Sequence, residues 1–391
     1  MKKRVACIVT EYRDFSHADV IVGKILEGYD QKGGPGPALQ VVSMYVDQFP
    51  ENDLSKSLAK KHGFPIAENI EEALTLGQGK LVVDGVLIIG EHGRYPYNVK
   101  GQHLYPRPRF MEDTLAVFDK YGAVVPLFND KHLAYNWHNA EWMYRQARLR
   151  LIPFMAGSSL PVTYRRPRLQ LRRGIPLEAG LAIGYGGFES YGFHALETLQ
   201  CMVERRATNR QGVASVTFHD SNAFWDRVDS DHRLHRLLYA AIDVIPHPKA
   251  NVRQVTKGRP DVGLYEIEYV DGFRAWVAML NGYVTEFAFA CLPRGASKPL
   301  ATWFYLYNDR PFPHFAYLVK AIEQMIHTGH PSYPVERTLL TTGILDAVMT
   351  SRFLGGRTVR TPHLVELNYR PVDYPFAPEP DLGVALPGVE S

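Results

Sequence analysis

The sequence predicts an α/β chain: a Rossmann-type doubly wound parallel sheet, then an open, mostly antiparallel sheet with helices on one face. Three observations predict it. Short β-branched runs alternate with helix-period segments over residues 4–155. Glycine, proline and asparagine punctuate the alternation. After Gly157 it stops, and strand-like runs joined by hairpin signals such as Asp271-Gly272 and Asn281-Gly282 follow.

Residues 4–10 are an apolar run that reads as a buried strand of the parallel kind. Val20, Ile21, Ile25 and Leu26 give residues 17–28 a helical stripe. Gly33-Gly34-Pro35-Gly36-Pro37 turns the chain into a second strand, Val41 to Val46, which ends at Asp47. Residues 52–62 read as a helix stopped by Gly63. Ile66 marks a short strand, and Asn69 caps a helix through Leu76. Strands at 84–90, 124–128 and 151–155 then alternate with helices at 110–121 and 135–149. Such alternation means right-handed crossovers and a parallel sheet.

Next come a basic stretch, Arg165 to Arg173, and the glycine-rich Gly180 to Gly192. One helix (193–204) precedes strands at 213–219, 264–269, 274–280, 284–291 and 302–307. Helices at 312–328 and 336–353 close this part. The expected domains are 1–157 and 158–370, with an extended Pro- and acid-rich tail at 371–391.

Composition narrows the function. The 391 residues suffice for two sizeable cores. A net charge of +3 is too mild for the basic face of a nucleic-acid-binding protein. Cys7, Cys201 and Cys291 are too sparse for a disulfide framework or a metal knuckle. No run approaches the roughly 20 apolar residues of a membrane span, and the first apolar run is too short for a secretion signal. The expectation is a cytoplasmic protein with a small-molecule ligand, no nucleic acid, no membrane partner and no metal. His92, His103, His132 and His138 match no ligand spacing.

Several segments together resemble the Gfo/Idh/MocA oxidoreductases, the glucose-fructose oxidoreductase and inositol dehydrogenase family. The resemblance covers nearly the whole chain. It rests on DQFPENDLSKSLAKKHG from Asp47 to Gly63, NIEEAL at 69–74, FNDKHLA at 128–134, GYGGFESYGFHALE at 184–197, and the closing segment from Gly329 to Val359. No one segment is specific; their order and spacing are. The resemblance implies an N-terminal domain that binds NAD, with NADP less favoured, and a second domain that holds a sugar, cyclitol or related polyol. It also implies homodimers or homotetramers through the outer face of the second sheet, and hydride transfer from a substrate hydroxyl to nicotinamide.

The candidate residues follow. The turn after the first strand reads Thr10-Glu11-Tyr12-Arg13-Asp14-Phe15-Ser16-His17, with Thr10, Tyr12 and Phe15 where G-x-G-x-x-G has glycines. Tyr12 and Phe15 crowd the pyrophosphate position, Arg13 offers a side-chain phosphate contact, and Ser16 caps the helix. The other reading is a turn that simply packs, its cofactor absent or displaced. Asp47 is either the ribose-binding acid that favours NAD or an ordinary loop aspartate. Glu91, His92 and Asp130 stand at strand ends expected near the cofactor. Lys131 matches the family's catalytic lysine, with Asp130 in place of its glutamate and His132 in place of its proline. His194 matches the general base; the family's aspartate is Ser190 here, with Glu189 beside it. Tyr95, Tyr97 and His103, in an inserted Tyr/Pro-rich loop, and Ser190 and Tyr191 are expected at the substrate. That loop otherwise packs on the second domain. Arg165 to Arg173 face either an anionic substrate or solvent.

Two further functions stay open. One is a tightly held NAD used for chemistry without net redox, such as epimerisation, elimination or glycoside cleavage. The other is a binding or assembly member that has lost the cofactor.

Overall fold

The computed structural model describes residues 1–208 and 210–380. The chain forms two units, each discontinuous in sequence. The first holds Met1–Pro96, His103–Ser159 and Tyr307–Leu339; the second holds Tyr97–Gln102, Leu160–Leu306 and the chain from Leu340 onward.

The first unit runs β1 (Lys3–Val9), α1 (His17–Glu27), β2 (Leu39–Val46), α2 (Ser55–His62), β3 (Ile66–Ala67), α3 (Ile70–Thr75), β4 (Gly85–Ile89), α4 (Arg107–Tyr121), β5 (Leu127–Asp130), α5 (Trp137–Leu149) and β6 (Phe154–Gly157). The strands are parallel in the order β3-β2-β1-β4-β5-β6. Winding reverses between β1 and β4, the place where such sheets open a crevice at the carboxyl ends of their strands. Val5 to Val9 and Val86 to Ile89 are wholly buried, as strands covered on both faces must be. Ser16 caps α1, Asn69 caps α3, and Gly63 ends α2 at φ 72°.

Two strands start later than their apolar runs suggest. β5 begins at Leu127 and β6 at Phe154, each directly after a proline. Pro126 and Pro153 have no N–H for the ladder, so only their carbonyls join it, accepting from Val86 N and Leu127 N.

The second unit continues with β7 (Tyr164–Arg166), β8 (Leu177–Gly184), α6 (Ser190–Val203), β9 (Val213–Asp220), α7 (Ser221–Ser230), α8 (His232–Ile242), α9 (Val252–Thr256), β10 (Val262–Tyr269), β11 (Arg274–Leu280), β12 (Phe287–Pro293) and β13 (Leu300–Tyr305). Then α10 (Pro313–Thr328) returns to the first unit, and α11 (Val335–Phe353), β14 (Val359–Arg360) and α12 (Pro362–Val365) follow. The order is β14-β9-β10-β11-β8-β12-β13-β7, antiparallel except for the β11–β8 pair.

Asp271-Gly272 does turn β10 into β11. Asn281-Gly282 does not make a hairpin, because β8 lies between β11 and β12. β8 falls partly in the glycine-rich stretch, where the sequence reading placed no strand. Those glycines let α6 lie close to the sheet: a Cβ on Gly180 would meet Val203 at 2.9 Å, and one on Gly184 would meet Ala195 at 2.8 Å. α6 also starts at Ser190 rather than Phe193. Helices α7 to α9, absent from the sequence reading, supply Phe224, Trp225, Leu234, Leu237, Leu238 and Val252 to the core over β8 and β11. The helix at 312–328, expected to close the second domain, belongs to the first unit, where Glu323 accepts from Ala38 N at 2.6 Å.

In the tail, Ala377 N donates to Val162 O at 3.0 Å, and the Phe376 ring lies under the guanidinium groups of Arg165 (3.9 Å) and Arg168 (4.5 Å). Residues 381–391 of the expected tail lie outside the described residues.

Candidate active site

The carboxyl edge of the first sheet carries unusual backbone. Phe15, His92 and Lys131 stand in the turns after β1, β4 and β5 with φ of 62°, 71° and 62°. A bulky residue in this region costs on the order of 1–3 kcal/mol, and such strain concentrates at functional sites.

Lys131 is buried here and its Nζ donates to Glu91 Oε1 at 2.8 Å. Arg107, at the first position of α4, donates from Nη2 to Glu91 Oε2 at 2.7 Å and from Nη1 to His132 Nε2 at 3.1 Å. One carboxylate thus holds two cations. Burial opposes its ionisation, but the Lys131 and Arg107 charges prevail and keep the Glu91 carboxyl well below the usual range. Thr10 Oγ1 donates to the Glu91 carbonyl at 2.6 Å, tying the β1 and β4 ends together. Next to Lys131, the wholly buried Asp130 meets His17 Nδ1 at 2.7 Å. His92 lies with its ring 5.6 Å from that of His17. Burial pushes the His92 pKa down to about 3, so its ring is neutral.

The turn after β1 is closed on itself. Ser16 Oγ accepts from Arg13 N and Asp19 N, each at 3.2 Å, and Asp19 Oδ2 accepts from Phe15 N at 3.1 Å. Tyr12 does not crowd the crevice: it is wholly buried, and Gly23 of α1 leaves room for it, with Tyr12 Oη 3.5 Å from where a Cβ would stand. Phe15 is exposed and meets Phe312 edge-on at 5.7 Å. Arg13 is spent on Glu11 Oε1 (2.6 Å) and His92 Nδ1 (3.4 Å). Arg310 is spent on Asp14 and Asp19, both at 2.8 Å.

Asp47, just past β2, is also engaged. It accepts from Tyr95 Oη at 2.6 Å, Tyr45 Oη at 2.8 Å and Arg109 Nη2 at 2.5 Å. Burial works against its charge, but these hydrogen bonds outweigh it and hold its carboxyl below the ordinary value. Tyr95 is therefore a partner of Asp47. His103 Nε2 bonds the Tyr95 carbonyl at 2.9 Å, and its ring stacks near Tyr105 at 4.0 Å. Tyr97, assigned with 97–102 to the second unit, is largely exposed; Lys100 of the same segment pairs with Asp346 at 2.7 Å.

Within the second unit, Glu189 and His194 are buried at the start of α6, and Ser190 is its first residue. His194 lies 5.8 Å from the Tyr191 ring and 6.2 Å from the Phe287 ring. Arg165 is buried and donates to the Leu169 and Pro161 carbonyls, so this part of the basic stretch is structural. Among the described residues, no group of three or more His, Cys, Asp and Glu is placed to hold a metal ion.

The structure thus joins Lys131, Glu91, His92, Asp130, Thr10 and Arg13 on one edge. Sequence reasoning missed Arg107, Arg109 and His17. Arg107 had one available signal: it follows Pro106 and opens a helix directly after the inserted loop. His17 had none beyond standing next to a capping serine.

A nicotinamide dinucleotide fits this edge in part. Lys131 and Asp47 stand at the expected strand ends. The turn after β1 fits a pyrophosphate poorly: it has no glycine, and its Arg13 and Phe15 N–H groups already go to Ser16 Oγ and Asp19 Oδ2. Around it the three carboxylates Glu11, Asp14 and Asp19 also outnumber the two guanidinium groups of Arg13 and Arg310.

Solved structures share the fold. GenD2 of gentamicin A biosynthesis, in complex with NAD, matches with a TM-score of 0.59 at 12% identity, over 92% of this chain and 97% of its own. The myo-inositol dehydrogenase of Lactobacillus casei, in complex with NAD(H) and myo-inositol, matches at 0.54 and 11%, over 92% and 97%. The apo scyllo-inositol dehydrogenase of the same organism matches at 0.54 and 9%, over 92% and 98%. No family model and no curated protein matches the sequence.

Proposed function

We propose that the chain is an NAD-dependent oxidoreductase acting on a hydroxyl of a sugar, cyclitol or related polyol. The observation that carries the reading is Lys131: a buried ammonium at the carboxyl end of β5, held by Glu91, in a fold whose solved examples include dehydrogenases. The bound dinucleotide would supply the hydride acceptor. The chain's own part is electrostatic. Lys131 stabilises negative charge growing on the substrate oxygen, and Glu91 with Arg107 keeps the ammonium in place before reaction begins. An acid just past β2, as Asp47 is, suits the ribose hydroxyls of NAD, while its ion pair with Arg109 places at the same strand end the kind of cation that takes the 2′-phosphate of NADP.

A second reading, loss of the dinucleotide, is favoured by the excess of carboxylates at the turn after β1. Titrating NAD+ and NADH by calorimetry and nicotinamide fluorescence, with an absorbance spectrum of the protein as purified, separates the two. Saturable binding with NADH formed on a polyol supports the first. Turnover with cofactor bound but no NADH released points to transient redox. Absence of binding at millimolar dinucleotide overturns the first reading.

A further inference from the structure

Arg172 and Arg173, at the far end of the basic stretch, are exposed, unlike the buried Arg165. In the second unit their loop is stitched to the turn after α6. Gly174 N donates to Arg205 O at 2.9 Å, Ala207 N to Ile175 O at 2.7 Å, and Arg205 Nε to Leu171 O at 2.5 Å. Residues 368–373 add a third wall, where Tyr369 Oη donates to Glu204 Oε2 and accepts from Gln200 Nε2, both at 2.8 Å. Two adjoining open clefts, of about 450 and 490 Å³, lie among these segments, and Arg173 and Arg205 line both. Hydrogen bonds within the unit fix the walls, so the clefts exist before any ligand arrives.

The clefts carry an excess of positive charge. Arg172 lines the first and Arg370 the second. Neither has an ion pair among the described residues. Arg206 is spent on Asp271, at 3.0 and 3.2 Å, and Glu204 takes the Tyr369 hydroxyl. The guanidinium groups of Arg172, Arg173, Arg205 and Arg370 then share one exposed carboxylate, Asp373. It bridges two of them: Oδ1 accepts from Arg205 Nη2 at 2.5 Å, and Oδ2 lies 3.1 Å from Arg173 Nε. The two guanidinium groups are thus gathered about a single anionic group. Arg205 is nine-tenths buried, yet its Nη1 has no hydrogen bond among the described residues. Nearly half of the Asp373 side chain is exposed, so water screens the bridge and another anion exchanges for it readily.

We propose that Arg172, Arg173, Arg205 and Arg370 form a binding site for a phosphate dianion, free or as the monoester of a small molecule, with the Asp373 carboxylate as its built-in competitor. A carboxylate brings one charge and two oxygens. A phosphate dianion brings two charges and three oxygens, so it meets the forks of Arg173 and Arg205 together and still reaches a third guanidinium group. The clefts also have the size of small-molecule sites, which leaves room for the organic part of an ester. Phosphate and Asp373 repel one another, so binding pushes Asp373 off the two arginines. The site is complete within the second unit and uses neither Lys131 nor a dinucleotide.

The test titrates the full chain with inorganic phosphate and, separately, with glucose 6-phosphate, at mildly alkaline pH and physiological salt, followed by calorimetry and phosphorus NMR. The expected result is saturable binding, weakened about tenfold in Arg173→Ser, which removes one charged donor from an exposed position. Asp373→Asn should tighten binding, because the competitor loses its charge. Arg172→Ser with Arg370→Ser should weaken it. Arg233→Ser, an exposed arginine on α8, and Lys131→Met should leave it unchanged. Absence of saturation at millimolar phosphate overturns the proposal. So does an affinity that Asp373→Asn fails to raise, or an equal loss in Arg233→Ser, which would reveal a general charge effect. A loss in Lys131→Met would put the anion on the first unit's edge and overturns it too. Tighter binding of the ester sustains the site with an organic ligand, and equal affinities sustain it with free phosphate. Neither result depends on whether the chain binds NAD.

Discussion

The turn after β1 and the turn after β5 leave the same edge of one sheet, yet they are built oppositely. After β1, the Arg13 and Phe15 N–H groups go to Ser16 and Asp19, and the Arg13 and Arg310 guanidinium groups are paired with carboxylates. That turn has little left to offer an anion. After β5, a cation is buried and held by a single carboxylate shared with Arg107. That turn is arranged to present charge. The difference teaches that the strand ends of one doubly wound sheet are equipped independently, because each turn spends its own polar groups.

The largest effect expected from breaking this contrast is at Arg107. Arg107→Ala leaves Glu91 with one of its two cations and removes a wholly buried side chain, so we expect a loss of roughly 3–5 kcal/mol in denaturant unfolding. A loss under about 1 kcal/mol would show that the cluster is not what holds this edge together. Next comes Lys131→Met, for which kcat on a polyol substrate should fall about 10²- to 10³-fold. An effect confined to KM would make Lys131 a binding residue only.

An intermediate effect concerns pH. The His92 pKa is about 3 in the folded chain against an ordinary 6.5. Between those values the unfolded chain binds a proton that the folded chain refuses, so stability falls as pH drops from 6.5 toward 3. His92→Gln should flatten that slope in urea midpoints measured across the window; an unchanged slope counts against a neutral, half-buried His92. Smaller still, Ser16→Ala removes the cap of α1 and should cost about 1 kcal/mol. Arg310→Ala, whose ion pairs are partly exposed, should cost less than about 1 kcal/mol. Its NAD affinity should also not rise, since the mutation leaves Asp14 and Asp19 uncompensated. A rise would mean that Arg310 blocks the crevice rather than neutralising it.

Much of the first unit was legible because its signals are local. Ser16, Asn69 and Gly63 act on backbone groups within a few residues, and each plays its expected part. The second unit was harder. Gly180 and Gly184 give no strand signal until α6 is seen against them, and Asn281-Gly282 looks like a hairpin until β8 is found between its flanking strands. At the site, Lys131 stood out by its place after a strand. Tyr95 was expected at a substrate and is instead bonded to Asp47.

By itself, then, the sequence determined the alternation of elements, the caps and the absence of a glycine cradle after β1. Period, propensity and turn chemistry act over a few residues, and that is why they can be read directly. Only the tertiary structure decided that Tyr12 turns into the core, that Arg13 and Arg310 are already paired, and that Glu91 joins Lys131 to Arg107. Glu91 and Lys131 are 40 residues apart and Glu91 and Arg107 are 16 apart. They meet because parallel strands bring their carboxyl ends to one edge, and pairing at that distance leaves no local pattern in the chain.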